Sequence, residues 1–273
     1  MRAEEATGMG SATYFEKSYG NRPPQFYAGL LANVVQQGKP GTLLDIGCGT
    51  GLFVELCRDW GLTASGCDGS EAAIAMGLAR RPGLQVQVGL LSERLPIDSQ
   101  SVDNVVMHQV IEHLPDEVLK NVLSESRRVL RKSGVLFIYS PSRADEREML
   151  KDSTHIAGLL PSELRSLLEQ SDFDVVAEPN SALRVFGLRL RGPLARPLLR
   201  TRLKDALSGT CNARAVRRCG GEDRLACHAE EVESIEPGQA HKISCAYRPN
   251  GLPGAGPTDF CDFVPNSRLL EVD

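Results

Sequence analysis

Short apolar runs that end at glycine or an acid alternate with longer segments whose apolar residues recur every three or four positions. Thr42-Leu43-Leu44-Asp45-Ile46 is such a run and stops at Gly47, as a strand buried on both faces does. Leu52 to Trp60 carries Leu52, Phe53, Leu56, Cys57 and Trp60 at helical spacing. Thr63 to Cys67 reads as a second strand ending at Asp68, and Ser70 is placed to cap a helix through Ala79. Gln85 to Val88 and Val102 to Met107 read as further strands, followed by a helix over Asp116 to Leu130. Gly134 marks a break before a fifth strand, Val135 to Tyr139; Ser162 to Gln170 reads as a helix and Asp174 to Ala177 as a sixth strand. This alternation over about residues 40 to 180 predicts an α/β fold with a mostly parallel sheet and helices on both faces. In such a sheet the ligand crevice lies beyond the carboxyl ends of the strands.

The rhythm weakens after residue 180, which suggests three parts: 1–39 as an N-terminal helical lid segment, 40–180 as the core, and 181–273 as a basic connector with an irregular extension. His241 to Arg248, with Ile243, Cys245 and Tyr247 on one face, is the candidate for a last strand. Arg184 to Lys204 holds seven basic residues and no acid. A solvated face, a contact for an anionic lipid surface or acidic substrate, and an RNA contact are its three readings; the lack of interleaved aromatics weighs against RNA.

Composition narrows the class. Of 273 residues 41% are hydrophobic and 24% charged, with a net charge of −4, which suits a soluble globular protein and leaves no global nucleic-acid footprint. No apolar run approaches the roughly 18 residues of a membrane span, and the acidic start Met1-Arg2-Ala3-Glu4-Glu5 does not read as a signal peptide. A cytoplasmic enzyme with eight free thiols is therefore expected. The late cysteines, with His228 and His241, form no C-x-x-C pair, so no metal is expected there.

The chemistry concentrates in Asp45-Ile46-Gly47-Cys48-Gly49-Thr50-Gly51, a strand entering a glycine turn and a helix. Glycines allow close approach of a ligand, and a helix start offers N–H groups. The third glycine of a G-x-G-x-x-G dinucleotide fingerprint is replaced by Leu52. An acid before the turn suits a ligand with an ammonium group better than a pyrophosphate.

This stretch resembles motif I of the class I S-adenosylmethionine (SAM) dependent methyltransferases. Gly66-Cys67-Asp68-Gly69-Ser70 resembles the acidic end of their second strand, and Leu95-Pro96-Ile97-Asp98 with Ser101 to Val106 the approach to their fourth. His108-Gln109-Val110-Ile111-Glu112-His113-Leu114-Pro115-Asp116 is similar to the segment after that strand in the branch containing quinone-biosynthesis methyltransferases. Arg127 to Ser140 resembles the helix, turn and strand that follow.

The resemblance implies a Rossmann-like, seven-stranded, mostly parallel sheet whose final strand runs antiparallel. It implies that Gly47, Cys48 and Gly49 approach the amino-acid part of SAM, that Asp45 anchors its ammonium, and that Asp68, followed by Gly69, takes the ribose hydroxyls. Leu91 would flank the adenine, with Gln109 beside the cofactor. His113, His108 and His155 are the candidate catalytic residues. Each also has an ordinary structural reading: turn acids for Asp45 and Asp68, loop orientation for His113, packing for His108. Tyr14, Phe15 and Tyr19 read as an aromatic lid or as a hydrophobic brace. No Asn-Pro-Pro-Tyr or Asp-Pro-Pro-Tyr sequence follows the fourth strand, which disfavours amino groups of bases or glutamine as acceptors. The expectation is methyl transfer to oxygen or carbon of a small-molecule or lipid-like acceptor. A non-catalytic SAM-binding protein and an RNA methyltransferase are the alternatives.

Overall fold

The computed structural model describes residues 15–16, 22–177 and 210–218, and the backbone of 183–185 and 188–190. A 3-10 turn, Pro24–Tyr27, leads into α1 (Ala28–Gln37). There follow β1 (Thr42–Ile46), α2 (Leu52–Asp59), β2 (Thr63–Asp68), α3 (Glu71–Arg80), β3 (Val86–Val88) and β4 (Val102–His108). A 3-10 turn, Ile111–His113, precedes α4 (Asp116–Val129) and β5 (Leu130–Tyr139). The short α5 (Glu146–Met149), α6 (Pro161–Gln170), β6 (Phe173–Ala177), β7 (Leu183–Val185), β8 (Leu188–Leu190) and β9 (Ala213–Arg217) complete the described elements.

Seven strands form one sheet in the order β3-β2-β1-β4-β5-β9-β6, with β7 and β8 pairing separately. Strands β1 to β5 are parallel, and β9 runs antiparallel between β5 and β6. Alternate residues of each strand feed the two faces. On one face Leu44, Ile46, Met107, Leu136 and Ile138 meet Leu119, Val122 and Leu123 of α4 and Leu164 and Leu168 of α6. On the other, Leu43, Val106, Val135 and Phe137 meet Leu30, Leu31 and Val34 of α1 and Phe53 and Leu56 of α2. The mostly parallel, doubly covered sheet is as the sequence predicted.

Two strands differ from expectation. The antiparallel strand in the sheet is Ala213–Arg217, not His241 to Arg248, which lies outside the described residues. Ala213 and Ala215 bury on β9, while arginines at 214 and 217 disguise the alternation as part of a basic stretch. The sheet thus draws on chain beyond residue 180. The fifth strand begins at Leu130 and runs through Gly134: Ser133 takes a left-handed φ of 54°, and the register against β4 shifts between Val102 and Asn104. The backbone bends at this point without leaving the sheet.

No described helix is long and apolar enough to cross a membrane. Most of the basic stretch 184–204 lies outside the described residues.

Candidate active site

The chain order reverses between β1 and β4, which are neighbours in the sheet: β2 and β3 continue to one side, β5 to the other. The carboxyl ends of β1, β2 and β4 therefore frame the crevice where such folds hold ligands.

The glycine turn fills the first part of this frame. Gly47 has φ +76°, and a Cβ there would lie 2.5 Å from Val110 Cγ2, so the position excludes other residues twice over. Gly51, at φ +74°, caps α2. The turn's N–H groups are spent internally. Those of Gly47 and Cys48 donate to the Cys67 carbonyl at 2.8 and 3.1 Å, and that of Gly51 to the Cys48 carbonyl at 2.9 Å. Gly49 N–H donates to Asp68 Oδ2 at 2.8 Å. The N–H groups expected from this region are therefore those of the helix start rather than of these four residues. Spent donors suit a phosphate poorly; a turn bordered by carboxylates suits a ligand that donates.

Asp45 lies near the end of β1, buried at 4% exposure. Burial, and secondarily the charge of Asp68, raise its carboxyl well above the usual carboxylate range. A bound ammonium would favour the ionised form. Asp68 ends β2 and also accepts Ser70 N–H through Oδ1 at 2.8 Å, so both of its oxygens bind backbone. Gly69 is half-buried between Asp68 and the Ser70 cap, whose hydroxyl accepts Ala73 N–H at 3.2 Å. Cys48 packs against Gly66 of β2, its thiol pushed up by burial and by Asp45 and Asp68. Phe15 is buried with its ring edge about one van der Waals contact from where a Gly49 Cβ would stand, 3.5 Å. Tyr14 and Tyr19 lie outside the described residues.

The segment after β3 is fixed by a polar face of α4. Asn121 Nδ2 donates to the Leu91 carbonyl at 2.7 Å and to the Glu93 carbonyl at 3.0 Å. Glu125 accepts Leu95 N–H at 2.7 Å, and Arg128 donates to the carbonyls of Ile97 and Leu95 at 2.8 and 3.1 Å. These three side chains hold the segment from Leu91 to Ile97, in which Leu91 is half-buried. The sequence reading missed them, although residues 121, 125 and 128 fall on one helical face.

On the other side of the frame, His108 ends β4 with its ring 5.6 Å from Tyr27 and 6.2 Å from Tyr139. Burial, with the charge of Arg22, lowers its pKa to about 4, so it is neutral at neutral pH. Gln109 is exposed, at φ 57°, with its N–H on the Tyr139 carbonyl at 2.8 Å. The left-handed residue turns the chain off β4.

His113 and His155 come together, ring centroids 4.8 Å apart, with Glu112 beside them. His113 Nδ1 lies 3.1 Å from the Thr154 carbonyl and 3.0 Å from Thr154 Oγ1, whose hydroxyl donates to Asp152 Oδ1 at 2.6 Å. A carbonyl only accepts, so the proton sits on Nδ1 and Nε2 keeps its lone pair. Burial lowers the pKa of His113. The loop carrying His155 hangs on Glu112, whose main-chain carbonyl accepts Ile156 and Ala157 N–H, both at 3.0 Å. Glu112 is fully buried, and burial pushes its carboxyl up to about 7. Its Oε2 accepts the Ser140 hydroxyl at 3.0 Å, while Oε1 has no partner. Sequence reading placed Glu112 in a motif without assigning it a role. His108 does not join the His113–His155 pair among the described ring contacts.

Fold and glycine turn together are those of a Rossmann-like α/β domain, and residues 44–138 match a family described as a methyltransferase domain. Over this stretch the chain is thus similar to class I SAM-dependent methyltransferases. It is 38% identical over 136 residues to a Mycolicibacterium smegmatis protein named "Probable S-adenosylmethionine-dependent methyltransferase", covering 49% of this chain and 52% of that one. It is 26% identical over 190 residues to a ubiquinone biosynthesis O-methyltransferase of Paracidovorax citrulli, covering 65% and 75%. The chain spans about half the length of the first of these curated relatives. Among solved structures, a SAM-dependent methyltransferase from Archaeoglobus fulgidus shares the fold, with a TM-score of 0.54 and 22% identity, covering 76% of this chain and 99% of that one.

Proposed function

We propose that the protein transfers the methyl group of SAM to a hydroxyl oxygen of a small-molecule acceptor. The observation that carries this reading is the glycine turn: its N–H groups are spent internally, and carboxylates at Asp45 and Asp68 border it. Such a surface favours a ligand bearing an ammonium and hydroxyl donors. Gly47, Cys48 and Gly49 give the ligand its backbone floor, Asp45 faces the ammonium, and Asp68 takes ribose hydroxyls. Gly69 keeps the turn beside them narrow, while Leu91 and Gln109 flank the bound donor.

The acceptor belongs on the β4 and β5 side, near His108, His113 and His155. Methyl transfer from a sulfonium depends chiefly on alignment of the two reactants. Oxygen is the preferred acceptor atom because the ubiquinone O-methyltransferase relatives act there by name. His113 is the first residue to test for activating the hydroxyl, since its Nε2 lone pair is set by the Thr154 contact. A lipid-like acceptor met at a membrane through residues 184–204 is the form of this proposal that salt-sensitive binding to anionic vesicles would support.

Calorimetry tests the cofactor reading. SAM and its demethylated product should bind, and NAD much more weakly. Asp68→Ala removes charge-assisted bonds of about 1.5–3 kcal/mol each, so SAM affinity should fall at least tenfold in a folded variant. NAD binding as tight as SAM, or an unchanged SAM dissociation constant in Asp68→Ala, would overturn the assignment. Labelled SAM offered with phenol and alcohol acceptors then tests the transfer itself.

A further inference from the structure

The group formed by Glu112, His113 and His155 is not accounted for by donor binding. Each residue offers one ligand atom, and these atoms lie within 4.8 Å of one another. Two of the group's buried polar atoms, Glu112 Oε1 and His155 Nδ1, have no hydrogen-bond partner. Leaving such atoms unmatched is unfavourable, so a ligand that satisfies them together gains that free energy on binding. Among the described residues, the charge that acts on Glu112 is that of a second acid, Asp152.

We propose that Glu112, His113 and His155 bind a divalent first-row transition cation. One carboxylate oxygen and two imidazole nitrogens are the donor set that zinc, manganese, iron and cobalt ions accept, whereas magnesium prefers oxygen alone. The surroundings have the order that a cation site requires. His113 donates its Nδ1–H to the Thr154 carbonyl, which leaves the Nε2 lone pair for the metal, and with an ion bound that lone pair no longer takes a proton from the acceptor; histidine ligands generally carry such a bond on the other nitrogen. Ser140 holds the far oxygen of the Glu112 carboxylate, and the main-chain bonds from Ile156 and Ala157 hold the His155 loop against the same residue.

Metal–ligand bonds of about 2.0–2.2 Å place ligand atoms roughly 3–3.5 Å apart. The widest separation in the group, 4.8 Å, therefore needs to contract by about 1.3–1.8 Å, within reach of side-chain rotation. Three protein ligands leave a coordination position open to water or to an acceptor oxygen. This site goes beyond the donor reading and does not depend on it; it revises the sequence expectation of no metal.

The test uses the full chain, stripped with a chelator and titrated separately with Zn2+, Mn2+ and Mg2+, with SAM binding and melting temperature followed in parallel. The expected result is one saturable equivalent of Zn2+ or Mn2+ and at least tenfold weaker Mg2+. His155→Ala and, as a near-isosteric change, Glu112→Gln should each weaken binding of the transition ion at least tenfold while SAM still binds. Retained SAM binding separates loss of this site from loss of the fold or of the donor site. A variant that loses SAM binding or melts early is replaced in the comparison by the other. Absence of saturable binding, or binding that survives both substitutions unchanged, would overturn the proposal. So would a thiolate charge-transfer band in the Co2+-loaded protein, which would place the ion on a cysteine.

Discussion

The two halves of the sheet build their parts of the site by different means. The β1–β3 half uses main chain: a glycine turn, its internally bonded N–H groups, and two acids at consecutive strand ends, the second tied to the turn through Gly49. The β4–β5 half uses side chains brought from separated segments: His108 from a strand end, Glu112 and His113 from a 3-10 turn, His155 from a loop much further along the chain. Backbone geometry resists substitution and fits a ligand common to many reactions. A side-chain cluster can be altered one residue at a time, which suits the part of the site that must recognise an individual acceptor.

The halves meet at Gly47 and Val110, and breaking that contact should have the largest effect. An alanine Cβ at Gly47 would stand 2.5 and 3.1 Å from the two methyl carbons of Val110 on a backbone with φ +76°. Overpacking and left-handed strain together predict a loss of about 2–5 kcal/mol for Gly47→Ala. Adding Val110→Ala removes the offending methyls and should restore the steric share, leaving the strain. Chemical denaturation of both single variants and the double variant measures the coupling. Additive losses would show that the two loops do not press on each other.

An effect of about 2 kcal/mol is expected on the acceptor side alone, in acid. His108 has a folded pKa of about 4 against an ordinary value of 6.5, so the unfolded chain binds the extra proton first. Its contribution to stability is present above the ordinary value and is lost as pH falls towards the folded one. Between about pH 7 and pH 5 the loss should reach about 2 kcal/mol. Glu112 works in the opposite sense over part of this range: its raised pKa means that stability falls as pH rises towards about 7. Comparison with His108→Gln isolates the histidine, since Glu112 is common to both proteins. Equal acid sensitivity of the two would show that His108 is not held neutral by its surroundings.

The same division governs what could be read from the sequence. Asp45, Asp68 and the glycines were legible because a strand, a turn and an acid follow one another within a few residues, and local steric rules decide their geometry. Strands β1, β2 and β4 were legible for the same reason: each is an apolar run with a defined stop. β9 was not, since two arginines interrupt its short buried alternation and its partner β5 lies far earlier in the chain. Nor was the role of Asn121, Glu125 and Arg128, which read as the solvated face of an amphipathic helix until the returning segment 91–97 is laid across them. The pairing of His113 with His155 required the loop to fold back onto the Glu112 carbonyl, a contact that no local pattern encodes.

The smallest effect is expected in the donor half, and it carries a sign that an ordinary stabilising acid would not show. Asp45 is buried, and burial first, then the charge of Asp68, raises its carboxyl above the usual range. A raised carboxyl favours the folded state fully only below its unfolded pKa, about 3.9, and that advantage disappears as pH rises through the folded value. Where Asp45 is ionised, its burial is thus a cost to the ligand-free protein, one that a bound ammonium would offset. Asp45→Asn keeps the shape and removes the charge. It should raise the stability of the ligand-free protein by on the order of 1 kcal/mol, seen as a melting temperature a few degrees higher. SAM affinity should fall about tenfold or more in the same variant, because an amide cannot neutralise the ammonium. Calorimetric melting with and without SAM reads both quantities at once: the variant should melt higher than the native protein alone and gain less from the ligand. If Asp45→Asn instead lowered stability while SAM binding held, Asp45 would be a structural turn acid, and the donor half would have to bind its ammonium by carbonyls alone.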